Sequence, residues 1–76
     1  MRAFACSCID QETGLEMVLR ECSYNMACDW LSRNGFTEPA KTSVTDGGRY
    51  ITVTFTAPAA RTFVYDEHRG YLLAAR

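Results

Sequence analysis

The chain has 76 residues, a formal net charge of −1, 47% hydrophobic residues and 22% charged residues. That length holds one hydrophobic core, hence one domain over residues 1–76, and the composition is that of a globular chain rather than a disordered one. The near-neutral balance argues against binding held by phosphate neutralisation, and the lack of an 18-residue apolar run argues against a transmembrane helix.

Residues 1–4 lack the apolar stretch of a secretory signal, so the expected compartment is the cytoplasm, where thiols stay reduced. A domain this small buries only about 60% of its unfolded surface, so a staple such as a metal, a disulfide or a second subunit would be useful to it.

Residues 2–9 alternate as a short strand, with Phe4, Cys6 and Cys8 on one face. Asp10 or Thr13 then offers a helix cap, and Thr13 followed by Glu16 has capping-box spacing. From Leu15 the apolar period becomes helical. Leu15, Val18, Leu19, Cys22, Met26 and Trp30 fall within about 120° of one another and predict a core-facing helix stripe. Asn34-Gly35 and Pro39 end that helix.

A meander follows. Gly47-Gly48 fits a type I′ hairpin whose register places Val44 across from Ile51 and Thr42 across from Val53. Pro58-Ala59-Ala60 marks the next turn, predicted to pair Phe55 with Phe63 and Val53 with Tyr65. His68-Arg69-Gly70 closes a third hairpin and is expected to turn Tyr71, Leu73 and Ala75 inward. The predicted fold is a two-layer α+β sandwich in β-α-β-β-β-β order, one helix on a mainly antiparallel sheet of four to five strands. The first strand fits beside either the last strand or the second.

Four cysteines raise the question of metal or redox chemistry. Cys6, Cys8 and Cys22 form a conceivable thiolate cluster, while Cys28 stands apart on the helix. The chain has no paired C-x₂₋₄-C knuckles, so these thiols are expected to fill the core, with no metal and no cofactor bound. His68 sits at an expected exposed turn without an orienting partner, and no nucleophile-elbow, Walker or dinucleotide glycine motif occurs, so no catalytic residue and no enzyme activity are expected. Arg61-Thr62-Phe63-Val64-Tyr65 has the aromatic spacing of an RNA-binding strand, but its rings are needed inside and the arginines are dispersed along the chain.

The remaining feature is a second apolar line, Met17, Tyr24, Cys28 and Leu31, within about 60° on the predicted outer helix face and about 21 Å long. These four are the predicted partner-binding residues, for a foreign protein or for a homodimer through the outer helix face. The function expected from the sequence is a small non-catalytic protein-binding module. Its size and lack of motifs fit a phage or mobile-element inhibitor of anti-CRISPR or anti-restriction type that blocks a host complex. The alternatives are a cysteine-based metal-binding or redox module and a nucleic-acid-binding accessory protein.

Overall fold

The computed structural model describes residues 8–75. One helix, α1 (Tyr24–Arg33), packs on a five-stranded antiparallel sheet of β1 (Glu16–Leu19), β2 (Lys41–Thr45), β3 (Tyr50–Phe55), β4 (Arg61–Asp66) and β5 (Tyr71–Ala75), in the spatial order β1-β5-β4-β3-β2. This is the expected α+β sandwich, but the strand beside the last is β1, which lies in a segment expected to be helix. The expected strand over residues 2–9 lies mostly outside the described residues. Within them, Ile9 bridges Glu16, and the Met17 amide donates to the Cys8 carbonyl at 2.8 Å.

The predicted helix starting at Leu15 is corrected: its first third is strand. Met17, Val18 and Leu19 are all buried, because β1 pairs with β5 and is covered on both faces, and such a strand carries a continuous apolar run that also fits helical spacing. Positive φ at Gly14 and at Glu21 brackets the run. Ser23, in extended conformation, is the actual N-cap, its Oγ accepting from the Met26 amide at 3.1 Å. Thr13 caps no helix. Its hydroxyl donates to Asp10 Oδ2 at 2.6 Å and accepts from the Leu15 amide, closing a turn ahead of β1.

With the helix starting at Tyr24, its buried line moves to Ala27 and Leu31, and Met26 and Trp30 are half-buried flanks. The outward side carries Asn25, Cys28, Asp29, Ser32 and Arg33, including an Asp29–Arg33 ion pair one turn apart. The predicted apolar outer face therefore does not form, and a homodimer through it loses its premise.

The β2–β3 hairpin has the predicted register, Val44 opposite Ile51 and Thr42 opposite Val53. Gly47 (φ 65°) and Gly48 (φ 99°) supply the two left-handed positions of the tight turn. The β3–β4 register is two residues away from expectation, with Val53 opposite Phe63 and Phe55 opposite Arg61. Five residues rather than three form the connection, and a shift of two leaves every side chain on its expected face. The β4–β5 hairpin differs by one residue. Asp66 pairs with Tyr71, so four residues form the loop, and Leu72 and Ala74 rather than Tyr71, Leu73 and Ala75 face the helix. Leu73 is fully buried on the other face, opposite Met17.

The core under α1 centres on Phe63, which meets Phe36, Phe55 and Trp30 edge-on at centroid distances of 5.2, 6.0 and 6.4 Å. Cys22 joins this core, and its amide donates to the Gly70 carbonyl at 2.9 Å. A Cβ at position 70 would lie 2.9 Å from the Cys22 carbonyl oxygen, so both close approach and positive φ demand glycine there.

Candidate functional site: an apolar cleft beside the helix

The rings of α1 meet β4, Tyr24 against Tyr65 and Trp30 against Phe63, while no residue of β2 is buried. The chain leaves the helix at Asn34, turns at Gly35 and tucks Phe36 against Phe55 at 5.2 Å before reaching β2. An open cleft of about 280 Å³ remains between these elements, lined by Tyr24, Cys28, Leu31, Ser32, Phe36, Thr37, Pro39, Val53 and Phe55.

Three of the four predicted partner-binding residues meet in this cleft. Tyr24, Cys28 and Leu31 share its helix-side wall because i, i+4 and i+7 stack along one side of a helix. They differ in burial: Leu31 is a core residue, Tyr24 is half-buried and edge-on to Tyr65 at 5.5 Å, and Cys28 is exposed at the rim. Burial, then the Cys28 thiol beside it, holds the Tyr24 hydroxyl above its ordinary pKa, so it stays protonated at neutral pH. Met17, the fourth, is on β1, on the sheet face away from α1, and does not line the cleft. The floor and far wall come from Phe36, Pro39, Val53 and Phe55, of which Val53 and Phe55 are expected core residues and Pro39 an expected helix terminator. Their convergence has no local signal.

The cleft's chemistry is apolar. Among the described residues its only ionisable members are a phenol and a thiol, and no carboxylate, imidazole or cationic side chain lines it. Among the described residues no group of three or more His, Cys, Asp or Glu side chains is placed to hold a metal ion. Cys8 and Cys28 are exposed and Cys22 is buried, while Cys6, the remaining member of the conceivable thiolate cluster, lies outside the described residues. Burial pushes the Cys22 thiol's pKa up, and its Sγ donates to the Gly70 carbonyl at 3.4 Å. His68 is exposed in the β4–β5 loop, and Phe63 and Tyr65 are buried under α1. No helix among the described residues is long and apolar enough to cross a membrane.

A second polar constellation holds the fold on the other side of the sheet. Asp66 is completely buried; its carboxylate accepts from Arg49 Nε and Nη2 at 3.3 and 3.2 Å, from Arg69 Nε at 2.7 Å, and from the His68 and Arg69 amides at 3.0 and 3.3 Å. Arg69 continues to Asp10 through two parallel 2.9 Å hydrogen bonds, and Arg49 pairs with Glu12. The turn before β1 is thereby clasped to the start of β3 and to the β4–β5 loop. Every polar side-chain atom buried among the described residues has a hydrogen-bond partner, so this network leaves no charge uncompensated.

The clasp gives a pH dependence. Hydrogen bonds from Arg69 bring Asp10 down from 3.8 to about 2, overcoming a burial effect of opposite sign. Burial also pushes Asp66 up, and the hydrogen bonds from Arg49 and Arg69 outweigh it, leaving Asp66 below its ordinary value. Both carboxyls bind protons more readily unfolded than folded, so stability is full above about pH 5 and falls as pH drops through 4 towards 2. Asp10 alone contributes about 2 kcal/mol. Urea midpoints measured from pH 7 to pH 2 are expected to fall across that window, with a shallower fall in Asp10→Asn. A flat profile would contradict the clasp.

Comparison with family models, curated proteins and solved structures finds no match.

Proposed function

We propose that this chain is a non-catalytic protein-binding module that takes one or two apolar side chains of a partner protein into the cleft beside α1. The observation that carries this reading is the open wall of Tyr24, Cys28 and Leu31 facing Phe36, Val53 and Phe55. At about 280 Å³ it falls just below the roughly 300–1,000 Å³ of sites for drug-sized ligands, which favours protruding side chains over a cofactor. Among the described residues the lining holds no carboxylate or imidazole to act as general acid or base, which favours binding over turnover. A protruding side chain filling such a pocket is the usual anchor of a protein interface.

The mode of action proposed is surface occupation. A small inhibitor encoded by a phage or mobile element, of anti-CRISPR or anti-restriction type, would block a host complex in this way; chain size and the absence of catalytic motifs support that extension. The exposed Cys28 thiol at the cleft rim fits a reducing cytoplasm.

A photoreactive benzoylphenylalanine tests the site. Placed at Ser32, on the cleft rim, it is expected to give a discrete protein adduct in the source cell; placed at exposed His68 it is expected to give none. Equal labelling from both positions, or none from either, would overturn the assignment.

A further inference from the structure

We propose that two copies of this chain pair through the open edge of β2, joining their sheets into one ten-stranded antiparallel sheet. This goes beyond the cleft and does not depend on what fills it. The two edges of the sheet differ. β1 is short, carries a bulge between Met17 and Leu19, and has Cys8 and Ile9 against its outer side. Among the described residues β2 is the terminal strand at the other side, with five residues, an unbroken register, no proline and no bulge. It therefore lacks most of the devices that keep edge strands from pairing.

The backbone direction follows from two hydrogen bonds. The Ala40 amide donates to the Thr54 carbonyl at 2.8 Å, and the Glu67 amide donates to the Arg49 carbonyl at 2.7 Å. Polar backbone groups alternate sides along a strand, so Tyr50, Thr52 and Thr54 direct theirs to β2 and receive those of Thr45, Ser43 and Lys41. The N–H and C=O groups of Thr42 and Val44 consequently point to the open edge. Val44 is also one of the two large hydrophobic side chains exposed among the described residues, at 60%.

This edge is complementary to itself. A two-fold axis at Ser43 sets Thr42 of each copy opposite Val44 of the other, so the outward groups exchange four hydrogen bonds. The two Val44 side chains become diagonal neighbours on one face. Lys41, the chain's only lysine, lies opposite Thr45 of the second copy, so no like charges face one another in this register. The same axis puts both helices on one side of the joined sheet.

Light scattering on the reduced, untagged chain at rising concentration is expected to show a dimer. Val44→Pro removes only an outward N–H, and Val44→Lys leaves every backbone bond in place while setting like charges together. Both are expected to raise the dimer dissociation constant at least about tenfold with unchanged far-UV circular dichroism. Ser43→Cys is expected to form an intermolecular disulfide between the introduced thiols, since facing residues at such a position lie about 4.5 Å apart at Cα. A monomer at every concentration, or a dimer indifferent to both Val44 variants and not linked at position 43, overturns the proposal. Neither result bears on cleft occupancy, which is read from the Ser32 adduct.

Discussion

Asp66→Ala is expected to destabilise the domain by about 3–5 kcal/mol, the usual cost of removing one partner from a buried ion pair. Asp66 is completely buried, and its loss takes an acceptor from two largely covered guanidinium groups, at 21% and 25% side-chain exposure for Arg49 and Arg69, leaving Arg49 to Glu12 and Arg69 to Asp10 and Glu12. It also removes the acceptor for the His68 and Arg69 amides that shape the loop before β5. A domain of this length has roughly 4–11 kcal/mol in total, so the loss removes between about a quarter and all of its stability. Urea denaturation followed by circular dichroism measures the loss. Asp66→Asn keeps the shape and some acceptor capacity and is expected to lose less. A midpoint unchanged in Asp66→Ala would show that the clasp contributes nothing to the fold.

Leu31→Asp is expected to abolish the folded monomer. Leu31 is 4% exposed and packs under α1 with Ala27, Val53 and Phe63. Truncating such a leucine costs about 2–5 kcal/mol, and leaving a carboxylate there without a partner adds several more. On the sequence's predicted stripe, Leu31 would lie on the outer helix face and tolerate the change. Amide dispersion in a ¹H–¹⁵N spectrum decides between the two: a dispersed spectrum for Leu31→Asp would mean that α1 presents a different face to the sheet.

Where local chemistry dictates geometry, the chain was legible. Two glycines at 47 and 48 specify a tight turn, and that turn carries the β2–β3 register with it. The β4–β5 loop was read one residue short. Gly70 marks the left-handed position correctly, but the buried Asp66 takes the pairing place opposite Tyr71, and one residue exchanges the faces of β5. Residues 15–22 satisfy a helical period, so periodicity alone starts the helix at Leu15, while pairing of Met17 and Leu19 with residues more than fifty positions away settles them as strand.

The site was legible on one wall only. Tyr24, Cys28 and Leu31 are related by helical spacing, and that relation survives the shift in helix boundary. Phe36, Pro39, Val53 and Phe55 reach the cleft through tertiary packing that no period encodes. The clasp was missed for the same reason: Asp10 and Arg69 are 59 residues apart, and each alone resembles a surface charge in a turn.

The central claim is that the cleft beside α1 is a binding surface rather than a packing gap. The direct measurement is the Ser32 photo-adduct in the source cell, compared between the native background and a chain also carrying Cys28→Arg. Cys28 is exposed, so this substitution is expected to leave the melting temperature within a few degrees of native while placing a bulky cation at the cleft mouth. A discrete adduct lost with Cys28→Arg at unchanged stability is the predicted result. An adduct of equal yield in both backgrounds would contradict the claim.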